Sequence, residues 1–185
     1  MATYLTARGI TSRVFGFDGD VTYHAMLADY DNHADYARIL EETKDLPGVT
    51  LILKSSPGNY HVHNTTARTR DETALELLSR KMDPMHVSVG YRRKRWTLRV
   101  GAKTVANASS DITGVTGEYK KAPTPIRLME NPTDRPQSKA HVQLIGYMLE
   151  RVDFPDTVQG SYFLVGEALG ISEYITMTKE GNHGR

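Results

Sequence analysis

The stretch from Asn32 to Met82 constrains the fold more than any other part of the chain, because it reads helix, strand, turn, strand, helix. Val49-Thr50-Leu51-Ile52-Leu53 is a short β-branched and apolar run of the kind found in buried strands. Ser55-Ser56-Pro57-Gly58-Asn59 are turn residues, and Tyr60-His61-Val62-His63 resumes an extended alternation. Upstream, Tyr36, Ile39 and Leu40 have one-face helical spacing, with Asn32 expected as the cap, Asp35 three residues on and Pro47-Gly48 as the stop. Downstream, Thr69 and Glu72 make a capping-box pair, and Ala74, Leu75, Leu78 and Met82 form the expected apolar stripe. Asp83-Pro84 is expected to close that helix. A hairpin flanked by two amphipathic helices must bury a sheet face beneath those helices.

Around this module, Thr11–Asp29 reads as two extended segments about the turn-prone Phe17-Asp18-Gly19-Asp20. His86–Tyr91 and Arg95–Val100 are expected strands, the latter with Trp96, Leu98 and Val100 facing the core. Four of the eight prolines fall between Pro123 and Pro136, which marks a loop or boundary. Beyond it Val142, Ile145, Met148, Leu149 and Val152 mark a helix over Ser138–Val152, and Tyr162–Val165 is a last strand. The order β, β, α, β, β, α, β, β predicts an α/β (α+β) sandwich with a mostly antiparallel sheet and helices on one face. The expected organisation is an α/β body over residues 1–121, a Pro-rich loop over 122–137, and a helix with a short extension over 138–185, packed on the same body.

Composition then removes whole classes of function. The 185 residues include no cysteine, which excludes disulfides, thiolate zinc sites, iron–sulfur clusters and thiol nucleophiles. No apolar run approaches the roughly 18–20 residues of a membrane helix, and Met1–Arg8 carries no signal-peptide pattern, so a cytoplasmic location is expected, or the host cytoplasm for a viral chain. The formal charge of +1 conceals an asymmetry: between Pro84 and Ser110 there are six Lys/Arg and no acid.

Four clusters point to chemistry. In Asp29-Tyr30-Asp31 the carboxylates are two apart, so in an extended segment they share a face, a hard oxygen pair suited to Mg²⁺ or Mn²⁺. The Ser55-Ser56-Pro57-Gly58-Asn59 turn offers hydroxyls and backbone N–H groups to a phosphate, with His61 leading the next strand. His61 and His63 also alternate onto one face, a possible divalent-metal clamp. The basic stretch Arg92-Arg93-Lys94-Arg95, continued by Arg99 and Lys103, suits the phosphates of a nucleotide or nucleic acid. Each cluster also has a plain reading: helix caps, a β-turn, a surface histidine pair and a solvated hairpin.

Taken in order, these pieces resemble the archaeo-eukaryotic primase superfamily of primase-polymerases. Met26-Leu27-Ala28-Asp29-Tyr30-Asp31 is similar to its hDhD motif, and Ser55-Ser56-Pro57-Gly58-Asn59-Tyr60-His61 to its S-x-x-G-x-x-H motif. Trp96–Lys103 resembles its arginine-bearing strand and the small-residue turn after it. The likeness runs from about Val21 to Lys103. It implies an RRM-like palm over residues 1–121 that adds nucleotides in DNA replication of a virus, plasmid or archaeal-type element. Asp29 and Asp31 would hold two metal ions, with Asp29, Asp31 and His61 as the catalytic set. Ser55, Ser56, Gly58, Asn59 and His61 would grip the triphosphate while Arg99 and Lys103 neutralise it, and Arg92 to Arg95 would hold a single-stranded template. The family's third carboxylate has no counterpart in register, since Asp83 and Asp111 are the nearest acids.

Two other readings stand beside it. HUH-type rolling-circle initiators use His-hydrophobic-His, which His61-Val62-His63 satisfies, with Tyr119 or Tyr147 as the candidate nucleophile. A non-catalytic nucleic-acid-binding or structural protein is the third. The C-terminal helix is expected to pack on the core or on a second copy or replication partner.

Overall fold

A computed structural model describes residues 3–14, 23–31, 35–80, 82–106, 117–150, 162–165 and 173–175; for 3–8, 103–106, 117–120, 162–165 and 173–175 only the backbone course is described. In chain order the elements are β1 (Thr3–Thr11), β2 (Arg13–Val14), β3 (Tyr23–Tyr30), α1 (Tyr36–Thr43), β4 (Gly48–Ser56), β5 (Asn59–Arg68) and α2 (Arg70–Ser79). They continue with α3 (Pro84–Arg92), β6 (Thr97–Ala106), β7 (Gly117–Lys120), β8 (Thr124–Asn131), α4 (Lys139–Glu150), β9 (Tyr162–Val165) and β10 (Glu173–Ile175). The strands form two antiparallel sheets, ordered β2-β3-β5-β4-β8 and β10-β9-β1-β6-β7. No helix among the described residues is long and apolar enough to cross a membrane.

The fold class expected from the sequence holds. In the first sheet the order β3-β5-β4, with α1 between β3 and β4 and α2 after β5, is the split β-α-β arrangement of an RRM-like palm. The two helices lie on one face: the Tyr30 hydroxyl donates to Glu42 of α1 at 3.0 Å, Tyr36 of α1 stacks on Tyr60, and Arg38 donates to the Arg80 carbonyl at the end of α2. Alternation then assigns Leu27, Asp29, Leu51, Leu53, His61 and His63 to the opposite face, where α4 brings His141 edge-on to His63. A single apolar cluster joins both sheets, with Ile10, Leu98 and Val100 packing into the same core as Leu27, Leu51, Ile52 and Leu144. Each such buried side chain contributes about 1.5–3 kcal/mol.

The chain passes from one sheet to the other at Ser12. Its N–H donates to the Trp96 carbonyl at 2.9 Å, and its carbonyl accepts from Ala25 N–H at 2.8 Å. β6 therefore pairs with β1 in the second sheet and does not become the palm's fourth strand beside β3. Beside β3 stand β2, Ser12 and α3, whose His86 Nε2 donates to the Leu27 carbonyl at 3.0 Å.

Several expectations are corrected. His86–Tyr91 is helical, within α3, because the Asp83 side chain caps it by accepting from Met85 N–H and Pro84 occupies its first turn. The dipeptide expected to end one helix begins the next. α1 is capped by Asp35, which accepts from Ala37 N–H at 3.0 Å, while Asn32 lies outside the described residues. The Thr69–Glu72 capping box is present, but α2 buries Thr73, Ala74 and Leu77 and leaves Leu75 and Leu78 67% and 51% exposed. The Pro-rich span 122–137 contains β8, an edge strand pairing with β4; Pro125 sits at its bulge, an edge position of the kind that tolerates proline. In α4 the buried residues are Ala140, His141, Leu144, Ile145 and Met148, while Val142 and Leu149 are exposed. Phe17–Asp20 and Val152 lie outside the described residues.

Candidate functional site

Asp29 and His61 face each other across the β3–β5 pair, where their Cα atoms are direct register partners. The side chains meet at 3.5 Å between His61 Nε2 and Asp29 Oδ1. His61 is nearly buried, and the Asp29 side chain is 27% exposed, so the pair opens to solvent on the carboxylate side. Asp31 follows β3 directly and is exposed. Its charge acts on His86, whose pKa is lowered chiefly by burial and raised in smaller part by its bond to Leu27, by Asp83 and by Asp31.

The Ser55–Asn59 segment is the hairpin turn between β4 and β5. Gly58 has φ 72°, and with Pro57 before it the backbone fits a type II turn, in which glycine meets the positive φ without strain. Asn59 Nδ2 donates to Ser56 Oγ at 2.6 Å, so two of the proposed phosphate ligands hold each other. Lys54, Ser55, Ser56 and Pro57 line one side of an open groove of about 510 Å³, with Lys121 and Thr124 among those across from them. Neither Asp29 nor His61 lines this groove. Arg99, on β6, donates to the carbonyls of Gly101 at 2.6 Å and Lys121 at 2.8 Å, which ties the arginine strand to the groove's far wall. The side chain of Lys103 is outside the described residues.

The site residues expected from the sequence thus fall into two parts. Asp29 and His61 converge, with Asp31 at the end of the same strand; Ser55 and Ser56 converge with Lys121 and, through its backbone, Arg99. Nothing in the sequence marks Lys121 as a binding residue beyond its neighbour Lys120. Arg92, Arg93 and Lys94 are exposed at the end of α3, and Arg95 is half-buried.

Of possible metal ligands, Asp29 and Asp31 have the right chemistry, since Mg²⁺ takes one or two carboxylates and completes its shell with water and substrate phosphates. Among the described residues no group of three His, Asp or Glu side chains is gathered to hold an ion. Asp83, one nearest acid to the missing third carboxylate, is used as the α3 cap, and Asp111 lies outside the described residues. The histidine clamp is not formed either. His63 is fully buried, neither ring nitrogen has a hydrogen-bond partner among the described residues, and burial followed by the nearby His141 holds its pKa well below 6.5. Of the candidate tyrosines, Tyr147 on α4 is half-buried and accepts from Gln143, and the side chain of Tyr119 is not described.

Comparison with known proteins finds no family model, no curated protein and no solved structure that matches this chain. What the fold and site define is a class by geometry alone: an α+β palm-like domain with a carboxylate–histidine pair on its sheet and a basic groove at its hairpin turn.

Proposed function

We propose that the chain is a primase-polymerase-like nucleotidyltransferase domain that acts on nucleotides and single-stranded DNA. The observation that carries this reading is the meeting of Asp29 with His61 on adjacent palm strands, with Asp31 two residues further along. In this reading Asp29 and Asp31 hold Mg²⁺ or Mn²⁺, which supplies neutralisation of a triphosphate when bound. His61 orients Asp29 through its Nε2. Ser55 and the groove wall around Lys121 receive the rest of the triphosphate charge, and Arg99 positions Lys121 through its carbonyl bond.

The test is template-directed incorporation of labelled nucleotides with Mg²⁺ or Mn²⁺. Asp29→Asn combined with Asp31→Asn is expected to lower incorporation by about 10²-fold or more, as expected when charge stabilisation at the reacting phosphate is lost. A covalent phosphotyrosyl adduct with single-stranded DNA, formed without nucleotide, would replace this reading with the HUH one. Absence of both activities, with no change in thermal stability on adding Mn²⁺, would leave a non-catalytic nucleic-acid-binding domain.

A further inference from the structure

A second cavity lies away from the Asp29–His61 pair. It measures about 320 Å³, and its lining is Arg13, His24, Thr69, Arg70, Asp71 and Lys94. Among the described residues, three cations against one carboxylate give these walls a net formal charge of +2, with His24 neutral. His24 stays neutral because burial, followed by Arg13 and Arg70, pulls its pKa down to about 4. The single carboxylate is already engaged: Asp71 accepts from the Tyr91 hydroxyl at 2.9 Å and lies 3.8 Å from Arg70 Nε. Arg70 in turn is held over the Tyr91 ring, 4.5 Å from its centroid, which fixes the guanidinium at the cavity wall.

Lys94 reaches this cavity from a conformation that lysine rarely adopts. α3 ends in a Schellman motif, with Lys94 N–H donating to the Tyr91 carbonyl and Arg95 N–H to the Gly90 carbonyl. The C′ position of that motif belongs to the left-handed region, and Lys94 has φ 56° where glycine is the usual occupant. A charged side chain stands where backbone preference favours none, and it stands at the mouth of a basic cavity.

We propose that this cavity binds a phosphomonoester, presented at the 5′ end of a nucleic-acid strand. A phosphomonoester carries a charge of about −1.5 to −2 near neutral pH, which matches the walls, whereas a backbone diester carries one charge. Arg13, Arg70 and Lys94 arrive from β2, α2 and the end of α3, so the phosphate is surrounded by cations from three elements. The site uses neither Asp29 nor His61 and stands whichever way the incorporation assay falls.

The experiment compares binding of the full chain to two short DNA strands that differ only in a 5′-phosphate or a 5′-hydroxyl, read by fluorescence anisotropy. The phosphorylated strand is expected to bind about tenfold tighter, as one charge-assisted contact set would give. Lys94→Gly removes the charge while relieving the left-handed strain, so it is expected to raise the urea midpoint and yet abolish the preference. That pairing separates lost binding from lost folding. Lys139→Gln, on exposed α4 surface, is the charge-matched control and should keep the preference. Competition by inorganic phosphate at strand-like affinity would assign the cavity to free phosphate esters; much weaker competition assigns it to the strand end. Equal binding of the two strands, with no displacement by phosphate, or a preference untouched in Lys94→Gly, overturns the proposal.

Discussion

Three imidazoles sit inside this protein as neutral polar groups, and each is held differently. His141 is the best satisfied. Its Nε2 lies 2.9 Å from the Thr11 carbonyl, which can only accept, so that nitrogen carries the proton and the Ser138 hydroxyl at 2.7 Å donates to Nδ1. His24 shares a 2.9 Å bond with the Ser12 hydroxyl. His63 has only ring contacts, edge-on to His141 at 5.1 Å. Burial, the leading cause in all three, lowers His24 and His141 to about 4 and His63 well below its ordinary 6.5. Their folded values lie below the unfolded one, so the unfolded chain takes up protons first. Stability from these groups is complete above about pH 6.5 and is lost as pH falls toward 4, at up to about 1.4 kcal/mol per pH unit for each histidine. The urea midpoint should therefore drop steeply from about pH 6.5 to 4.5, and His63→Phe should flatten part of that slope, with His24, His86 and His141 keeping the rest, while sparing the midpoint at neutral pH. An unchanged slope in the variant would show that His63 does not titrate on unfolding. The shared face of His61 and His63 was legible from their spacing. Which way that face points was not, because alternation gives parity and only the arrival of α4 seals His63 inside.

At the scale of elements, the segment around Trp96 shows where local signals mislead. Val87 and Val89 have the composition of a strand, yet Asp83 and Pro84 make a strong helix start and α3 results. The helix then needs a small residue where it crosses the indole. A Cβ on Gly90 would stand 2.2 Å from Trp96 Cδ1 and 2.3 Å from Nε1, far inside contact distance, and the ring is 1% exposed with nowhere to move. Gly90→Ala is expected to cost about 1–3 kcal/mol through overpacking. Trp96 is the only tryptophan, so its emission reports the change directly and should shift to the red as the ring is displaced. Native emission with an unaltered urea midpoint would refute the close packing. β5 misleads in the other direction. Asn64-Thr65-Thr66-Ala67-Arg68 lies beyond the strand expected over Tyr60–His63, yet it continues β5 and all five residues are buried. The burial works because the polar atoms find partners: Arg68 donates to Asn64 Oδ1, Asn64 to the Pro47 carbonyl and Thr50, and Thr65 to Gln137. Apart from the Arg68–Asn64 bond, those partners are remote in sequence, up to 72 residues away, and no local pattern announces them.

For the molecule as a whole, the decisive feature is the sharing of one core by two sheets, and the chemistry follows from it. The Asp29–His61 pair belongs to the palm sheet, Arg99 and Lys103 to the other, so any joint action needs the two sheets fixed against each other. The order of strands and helices in the palm was readable from period and caps. The placement of β6 was not, since a strand carries no local record of whether β1 or β3 will be its neighbour. Ser12 settles that choice physically. It is fully buried where β1 gives way to β2, and its Oγ accepts from Trp96 N–H at 3.0 Å while sharing a bond with His24 Nδ1. Ser12→Ala leaves a buried backbone donor and an imidazole nitrogen without that oxygen. The expected cost is about 2–6 kcal/mol, from two groups at roughly 1–3 kcal/mol each. Urea unfolding followed by Trp96 emission and by far-ultraviolet circular dichroism should move to a lower midpoint in a single coincident transition, because the common core makes the sheets one cooperative unit. Two separated transitions in the variant would mean that the sheets fold as independent bodies joined by this serine alone, and Arg99 would then lose its fixed relation to the Ser55 groove.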